Sequence, residues 1–497
     1  MRILFLMRNH GAIAHYEGTL RLLAGHGHQI VIGSPGAERH YAADMNVPMD
    51  RLCRDYATVR VQRLPRRSDE WMPLAESARA LRNYCRYLHP RYARAVKLRE
   101  RAAQQVFKNA GLTRVPRRRM TGAAVSAAAT LVERLIPSDP AIQQAIAAIA
   151  PDVVVTTPLV DFNSYQPDYV HAAKRLGIPT VWCVASWDNL SNKGVAGRIP
   201  DRVLVWNGAQ RREAIELHGV PAERVVLTGA QTFDPWFTLS PATTRDAFTD
   251  LTGLGRGPFL LYMCSSVFVA PDEVGFLRQW LSRLRSSDDE MLRACGVLIR
   301  PHPANAAQFA GTDFSEWGPV SVWPPAGDLP LEANSRQRYY DSMYHAAAVV
   351  GVNSSGLIEA GIVGRRSYTL LAPEFTDTQR GTIHFDYLVD YRFVTAARTW
   401  PEHLTDLAAA VHGQSPIDAQ TRRRMIEFVR PGGEDQPSTP RVAAAIEDAG
   451  RLVVERVPER GAPAIVQRAL MPLARAAARR RTAARAARHS RPAVSGG

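Results

Sequence analysis

The stretch VVGVNSSGLIEAGIVGRRSYTLL, residues 349–371, decides how the rest of the chain is read. VVGV is a β-branched apolar run of the length of a buried strand, and RSYTLL is a second one. Between them, Leu357, Ile358, Gly361 and Ile362 recur at helical spacing. The hydroxyl of Ser354 or Ser355 is placed to cap that helix by accepting a first-turn N–H, and Gly356 permits close approach to the backbone. Strand, capped turn, helix, strand is the unit of a parallel sheet. Its turn is either an ordinary βα connection or an anion site, since a helix N-terminus offers free N–H groups to negative charge.

The same alternation extends in both directions. Upstream, RILFLM (2–7) is apolar on both faces, as in a sheet covered by helices on both sides. TLRLLAGHGH then reads as a helix and QIVIGSP as the next strand. From about residue 68 to 150 the chain is rich in Ala, Arg and Leu, with few β-branched runs, and reads as an inserted helical segment. PDVVVTTPLV, IPTVWCVAS, DRVLVWN and AERVVLTGA continue the strands to about residue 240. PATTRDAFTDLTGLGRG reads as a polar linker, and APEFTDTQRGTIHFDYL as a loop after RSYTLL. A second series of strands, PFLLYMCSS, CGVLIRPHP, GPVSVWPP, AAVVGV and RSYTLL, falls within 256–425. A crossover helix region (426–455) and a basic Ala/Arg-rich tail (456–497) follow. The expectation is an α/β chain of two Rossmann-like domains facing across a cleft.

The five cysteines, 53, 85, 183, 264 and 295, are odd in number and unpaired by spacing. They support neither a disulfide framework nor a zinc site and fit a reducing compartment. The first residues lack a signal-peptide pattern, and no apolar run is long enough to span a bilayer. The expected location is cytoplasmic. Of the net charge of +15, +9 lies between Arg91 and Arg119 and +8 between Arg468 and Gly497, so the remainder is near neutral at −2. Arg94, Lys97, Arg101 and Lys108 fall near one helical face, with Val106, Phe107 and Leu112 beside them. This pattern fits peripheral attachment to an anionic membrane surface, the inner face of the plasma membrane in a cytoplasmic protein. For the tail, a solvated Arg–Ala tract is an equal alternative. No nucleic-acid motif appears, so no specific nucleic acid is expected.

In open parallel sheets, ligands bind beyond the carboxyl ends of the strands. There the second half places Ser265 and Ser266, then Arg300, His302 and Asn305, then Asn353, Ser354, Ser355 and Gly356. Thr376, Thr378, Gln379, Gly381, Thr382 and His384 follow the last strand. Hydroxyls, N–H groups and a cation converging on one edge suit a diphosphate. Glu359, one turn into the helix, is placed to accept bonds from a pair of ribose hydroxyls.

The motifs RPHP after a strand, NSSGLIEA at a strand–helix turn and EFVRP near the close resemble the C-terminal half of the GT-B glycosyltransferase superfamily. The likeness is greatest to its CDP-glycerol glycerophosphotransferase and UDP-N-acetylglucosamine 2-epimerase branches. The block SWDNLSNKG (186–194), DRVLVWN and GTIHFDYL look like bacterial members of surface-carbohydrate assembly. The resemblance implies that Ser354, Ser355 and Gly356 bind the donor diphosphate and Glu359 the ribose. It also implies a metal-independent enzyme that needs no cofactor, the nucleotide-sugar being a substrate. Epimerases of this kind carry paired acids in the turn, whereas here Ala360 follows Glu359.

The function expected is transfer of a sugar from a nucleotide-diphosphate donor to a cell-surface glycan or lipid-linked acceptor. The alternatives are a CDP-glycerol-type glycerophosphotransferase, a UDP-sugar 2-epimerase-like enzyme and a non-catalytic basic protein that binds membranes or nucleic acid. Glycosyl transfer requires a base for the acceptor hydroxyl. Asp188 is the first candidate and His15 the second, with Glu17, His10 and Asp161 also at strand ends. Asp188 has a second reading, as the maker of an Asx-turn that shapes the loop. His26 and His28 in GHGH read as a turn, because a metal would need further ligands.

Overall fold

A computed structural model of the chain describes residues 1–35, 47–112, 114–457 and 464–489. They divide into two compact units, one formed by Met1–Gln231 with Pro437–Gly497 and the other by Thr232–Gln436. The sequence boundaries shift accordingly. Residues 232–240 belong to the second unit, and the region 426–455 is split between the two.

The first unit is built on seven parallel strands. These are β1 (Arg2–Met7), β2 (Gln29–Ser34), β3 (Val59–Arg63), β4 (Val153–Thr157), β5 (Thr180–Cys183), β6 (Arg202–Val205) and β7 (Val225–Leu227). Their order is β3-β2-β1-β4-β5-β6-β7. Alternate residues of β1 feed the two faces. Ile3, Phe5 and Met7 pack with Leu20 and Leu23 of the helix Glu17–Gly25 and with Val442 and Ile446 of the helix Ser438–Gly450. Leu4 and Leu6 pack with Ile142, Ile146 and Tyr169 on the other side. The apolar-both-faces pattern of RILFLM therefore has the cause expected of it. The chain returns from the second unit to complete this core through Ser438–Gly450.

Helices Met72–Arg86, Val96–Ala110, Arg119–Leu135 and Pro140–Ile149 separate β3 from β4. The basic helix Val96–Ala110 buries Leu98, Ala102 and Val106, so Val106 is not available to a bilayer. Of the tail, residues 458–463 and 490–497 lie outside the described residues. Ala464–His489 is a helix whose Leu470, Met471 and Ala474 pack with Trp71, Ala75 and Ile136 of the insertion. It is thus not a wholly solvated tract.

The second unit holds six parallel strands. They are β8 (Phe259–Met263), β9 (Gly296–Arg300), β10 (Val320–Val322), β11 (Ala348–Gly351), β12 (Ser367–Leu370) and β13 (Val394–Ala397), in the order β10-β9-β8-β11-β12-β13. The opening stretch is β11, the helix Gly356–Ile362 and β12. The region read as a linker contains the helix Arg245–Thr252, capped by Thr244, and the loop after β12 contains the helix Ile383–Asp390. Among the described residues no helix is long and apolar enough to cross a membrane.

Candidate functional site

Strand order in the second unit reverses between β8 and β11, and neighbouring chains leave a doubly wound sheet there in opposite directions. Cys264–Ser266, Pro301–Asn305 and Val352–Gly356 all emerge at this edge. Arg300, the last residue of β9, is 4 % exposed, and its Nη1 and Nη2 meet no hydrogen-bond partner. Its guanidinium carbon sits 4.6 Å from the centroid of the Tyr339 ring, a cation–π contact that leaves the N–H groups unspent. Burial lowers the Arg300 pKa, with Tyr339, Asp328 and Glu359 opposing.

Tyr339 also links Arg300 to Glu359. Its hydroxyl donates to Glu359 Oε2 at 2.7 Å and lies 3.1 Å from Met263 Sδ. Burial pushes the Glu359 carboxyl up to about 7, against the Tyr339 hydrogen bond and the Arg300 charge. An unpaired guanidinium and a carboxyl poised near neutrality thus share one aromatic ring.

The NSSG turn is built differently from the expectation. Gly356 is indeed a position of close approach, but the approaching group is Met263, whose Sδ would lie 1.7 Å from a Cβ there. Ser354 Oγ accepts from the Gly356 N–H at 3.2 Å, whereas Ser355 is exposed, helical in backbone and makes no cap. Asn353 ties this turn to the loop after β12. Its Nδ2 donates to Thr378 O at 2.6 Å and lies 3.3 Å from His384 Nε2, while its Oδ1 is buried without a partner.

Several predicted donor ligands hold the edge together instead of facing open space. Thr382 Oγ1 donates to Gln379 O at 2.8 Å, and Gln379 Nε2 spans the ends of β11 and β12 through Val352 O, Thr369 Oγ1 and Leu370 O. Thr378 donates to Val269 O at 2.9 Å. His302 Nδ1 accepts from the Ala304 N–H at 3.1 Å, and burial lowers its pKa. Asn305 donates to the carbonyls of Ser265 and Ala270. The Ser265 N–H donates to Glu273 Oε2 at 2.8 Å, and burial pushes the Glu273 carboxyl up to about 8. The Ser266 carbonyl accepts from Val269 and Ala270. Among the predicted residues, Arg300 keeps both Nη atoms, Asn353 its Oδ1 and Ser265 its Oγ buried without a partner, and Glu359 accepts only from Tyr339.

In the first unit the order reverses between β1 and β4. Arg8 Nη1 donates to Asp161 Oδ2 at 2.8 Å, and Lys193 Nζ lies 3.7 Å from Asp161 Oδ1 and 3.9 Å from Asp188 Oδ2. The side chain of Asp188 is 25 % exposed and also accepts from the Ser186 hydroxyl. Its backbone carbonyl accepts from Ser191 and Asn192 as the helix Asn189–Asn192 begins, and its carboxylate does not cap that helix, so these bonds are not the Asx-turn expected of it. His15 is exposed beside the β1 loop. Glu17 is spent otherwise, with Oε1 and Oε2 accepting from Arg51 and Oε1 from Arg21 at 3.0 Å. The His10 side chain lies outside the described residues.

Sequence reasoning missed what shapes the SWDNLSNKG block. Arg86 donates to the carbonyls of Leu190, Lys193 and Gly194, Tyr87 to that of Lys193, and Arg82 to that of Val195. Asn83 Oδ1 accepts from the Val195 N–H at 2.8 Å. Cβ atoms at Gly194 and Gly197 would lie 2.8 Å from Asn83 Nδ2 and 2.5 Å from Arg82 Nη2. The glycines of SNKGVAG therefore admit an insertion helix, and their pairing was the available signal. Beneath it, Arg79 forks onto Asp168 at 2.6 and 2.8 Å and reaches Glu133 at 2.8 Å. Burial favours protonation of Glu133 and Asp168, but the surrounding arginines overcome it and hold both below the usual carboxylate range.

Among the described residues, His26, His28 and Glu447 form a group able to hold a metal ion, their ligand atoms within 4.8 Å of one another. Glu447 supplies the third ligand that GHGH lacked, from the helix Ser438–Gly450. The group lies beside the start of β2, away from the carboxyl edge.

No protein-family model and no curated protein matches the sequence. Solved structures do match. A protein from Listeria monocytogenes assigned as a UDP-N-acetylglucosamine 2-epimerase superposes with a TM-score of 0.51 at 10 % identity, over 92 % of this chain and 98 % of its own. MnaA of S. aureus in complex with UDP gives 0.50 at 10 % identity, over 93 % of this chain and 100 % of its own. At this identity the likeness is one of fold. The chain has the GT-B fold, two parallel-sheet Rossmann-like units.

Proposed function

We propose that this chain is a glycosyltransferase that moves a sugar from a nucleoside-diphosphate donor to a surface-glycan or lipid-linked acceptor. The observation that carries this reading is Arg300, a buried guanidinium with both Nη atoms unpaired at the switch point of the second sheet. An uncompensated buried charge is costly, and a diphosphate at that edge would offset the cost with charge-assisted hydrogen bonds. In the reaction, an acceptor hydroxyl attacks the anomeric carbon as the bond to the diphosphate breaks. The nucleoside diphosphate leaves with the electron pair, and the hydroxyl proton passes to a base. Arg300 faces the charge developing on the leaving group, and Glu359, when ionised, accepts from the ribose hydroxyls. Asp188 is the first choice for the base and His15 the alternative. The chemistry draws on no group beyond these side chains.

The test is a thermal-shift screen of the full chain against UDP, GDP, dTDP, CDP and CDP-glycerol, followed by product analysis with the ligand that binds. Stabilisation by one nucleotide, weakened in Glu359→Gln, and a glycosidic bond in the product are expected. A phosphodiester product would instead identify a CDP-glycerol-type glycerophosphotransferase. A C2 epimer formed without acceptor would identify an epimerase, and no nucleotide binding, with acceptor and vesicles present, would favour the non-catalytic reading. Attachment to membranes is part of the same proposal. Exposed Met120, Leu131, Ile465 and Leu473 lie on the basic insertion and tail helices, so co-sedimentation with anionic but not neutral vesicles is expected, lost at high salt.

A further inference from the structure

The first unit contains a polar cavity of about 270 Å3 at its own switch point, lined among others by Arg8, Arg66, Lys108, Asp161, Asn163 and Ser164. It shares the wall Asp161–Tyr165 with a second space of about 250 Å3 under the helix Met72–Arg86. Three cations enter the outer chamber from three separate elements, the end of β1, the segment after β3 and the insertion helix Val96–Ala110. Asp161 is the carboxylate lining the outer chamber, where Arg8 at 2.8 Å and Lys193 at 3.7 Å match it, while Glu76 and Asp168 line the second space with Arg66. Lys108 is exposed and, among the described residues, belongs to no ion pair or hydrogen bond. The chamber therefore presents excess positive charge in a walled site, where a field is focused more strongly than on an open surface.

The loop that forms the floor is held in an unfavourable backbone. Leu159 and Asn163, neither a glycine, have φ of 29° and 61°. Such conformations persist where the surroundings over-determine them and concentrate at ligand sites. Here the insertion does the holding. Asn163 Nδ2 donates to Gln105 Oε1 at 2.8 Å, and Asn109 Nδ2 donates to Asn163 Oδ1 at 2.7 Å. Gln105, Lys108 and Asn109 lie on one helix, so the element that fixes the loop also delivers the unpaired ammonium.

We propose that this chamber binds a phosphoryl group carried by the acceptor, seated between Arg8, Arg66 and Lys108 with Asn163 and Ser164 as neutral donors. The proposal rests on the acceptor role given to the first unit, and it narrows the acceptor class to phosphorylated ones. The phosphoryl group belongs either to a lipid diphosphate or to a phosphorylated glycan.

The test uses inorganic pyrophosphate as the probe, by calorimetry on the full chain carrying Arg300→Met, so that the second-unit site is disabled. Binding that persists in this background and falls at least tenfold in Lys108→Ala with Arg66→Ala is expected. The single reversal Lys108→Glu, at an exposed position, should abolish it with an unchanged melting temperature. No pyrophosphate binding in the Arg300→Met background, or equal affinity in the Lys108 variants, would overturn the proposal. Competition then separates the sources. Displacement by a short-chain prenyl diphosphate at lower concentration than by a hexose 1-phosphate assigns the lipid, and the reverse order assigns the glycan. Should nucleotide affinity prove indifferent to Arg300→Met, the donor reading fails while the pyrophosphate result still stands or falls alone.

Discussion

Arg300→Met separates a functional charge from a structural one by the sign of its effects. Leaving a buried charge unpaired costs about 3–5 kcal/mol. The contact with the Tyr339 ring at 4.6 Å returns about 2 kcal/mol of that when desolvated. Methionine fills similar volume without charge, so the substitution should stabilise the nucleotide-free chain by about 1–3 kcal/mol. In a unit of roughly 200 residues that is a rise in melting temperature of about 2–12 °C. Affinity for a nucleoside diphosphate should move the other way. Removing one partner of a buried charge pair costs about 2–5 kcal/mol, or roughly 30- to 5,000-fold. One thermal-shift titration reads both quantities, the baseline melting temperature and the ligand-induced increment. A variant that melts lower than wild type and keeps the same nucleotide increment would refute the reasoning, because Arg300 would then be a structural residue.

Glu359, with its carboxyl pushed up to about 7, should make nucleotide affinity rise as pH climbs through 7, and Glu359→Gln should flatten that profile. The same shift favours the protonated form in the folded state. Stability relative to Glu359→Gln should therefore be highest below the unfolded value near 4.5 and fall by roughly 3 kcal/mol as pH rises through 7, measured by denaturant melts. Gly356→Ala should cost about 1–3 kcal/mol through overpacking against Met263, with partial rescue by Met263→Ala in a double-mutant cycle. Gly197→Ala should displace Arg82 from Glu133 and cost about 3 kcal/mol in chemical denaturation. Asp188→Asn should lower turnover by about 100-fold with donor affinity unchanged; an active variant would move the base to His15.

The parallel sheets were legible because their strands are apolar runs, and a one-dimensional pattern suffices to find those. Val59–Arg63 was not, since this edge strand carries Arg60, Gln62 and Arg63, exposed or half-buried, and so lacks such a run. The helix Ile383–Asp390 hid in an aromatic, β-branched stretch that propensity alone assigns to loop or strand. At the candidate site the residue types were legible and their states were not. That Thr382 faces its own loop while the Arg300 guanidinium lies over the Tyr339 ring, its Nη atoms without a hydrogen-bond partner, depends on neighbours far away in sequence, which spacing does not encode. The SNKGVAG glycines pose the same difficulty, because the side chains they admit lie on a helix about 110 residues earlier.

Buried arginine is not in itself the signal here. The first unit also buries Arg67 and Arg82 beneath its surface, but there Glu133, Asp168, Asp69 and backbone carbonyls meet their Nη groups. Those arginines resemble a framework in which charge is neutralised in place, and a ligand would have to displace a carboxylate to reach them. Arg300 alone among the described residues has both Nη atoms buried without a partner. Around it the amides and hydroxyls of Asn305, Thr378, Gln379 and Thr382 are bonded to backbone carbonyls, while Ser265 Oγ and Asn353 Oδ1 are buried without a partner beside it. A buried guanidinium left unmatched calls for an explanation, and the one proposed above is a partner outside the chain. Of the candidate ligands, an anion with several oxygens in fork geometry matches both Nη atoms at once, and a nucleotide diphosphate brings with it the ribose that Glu359 is placed to hold.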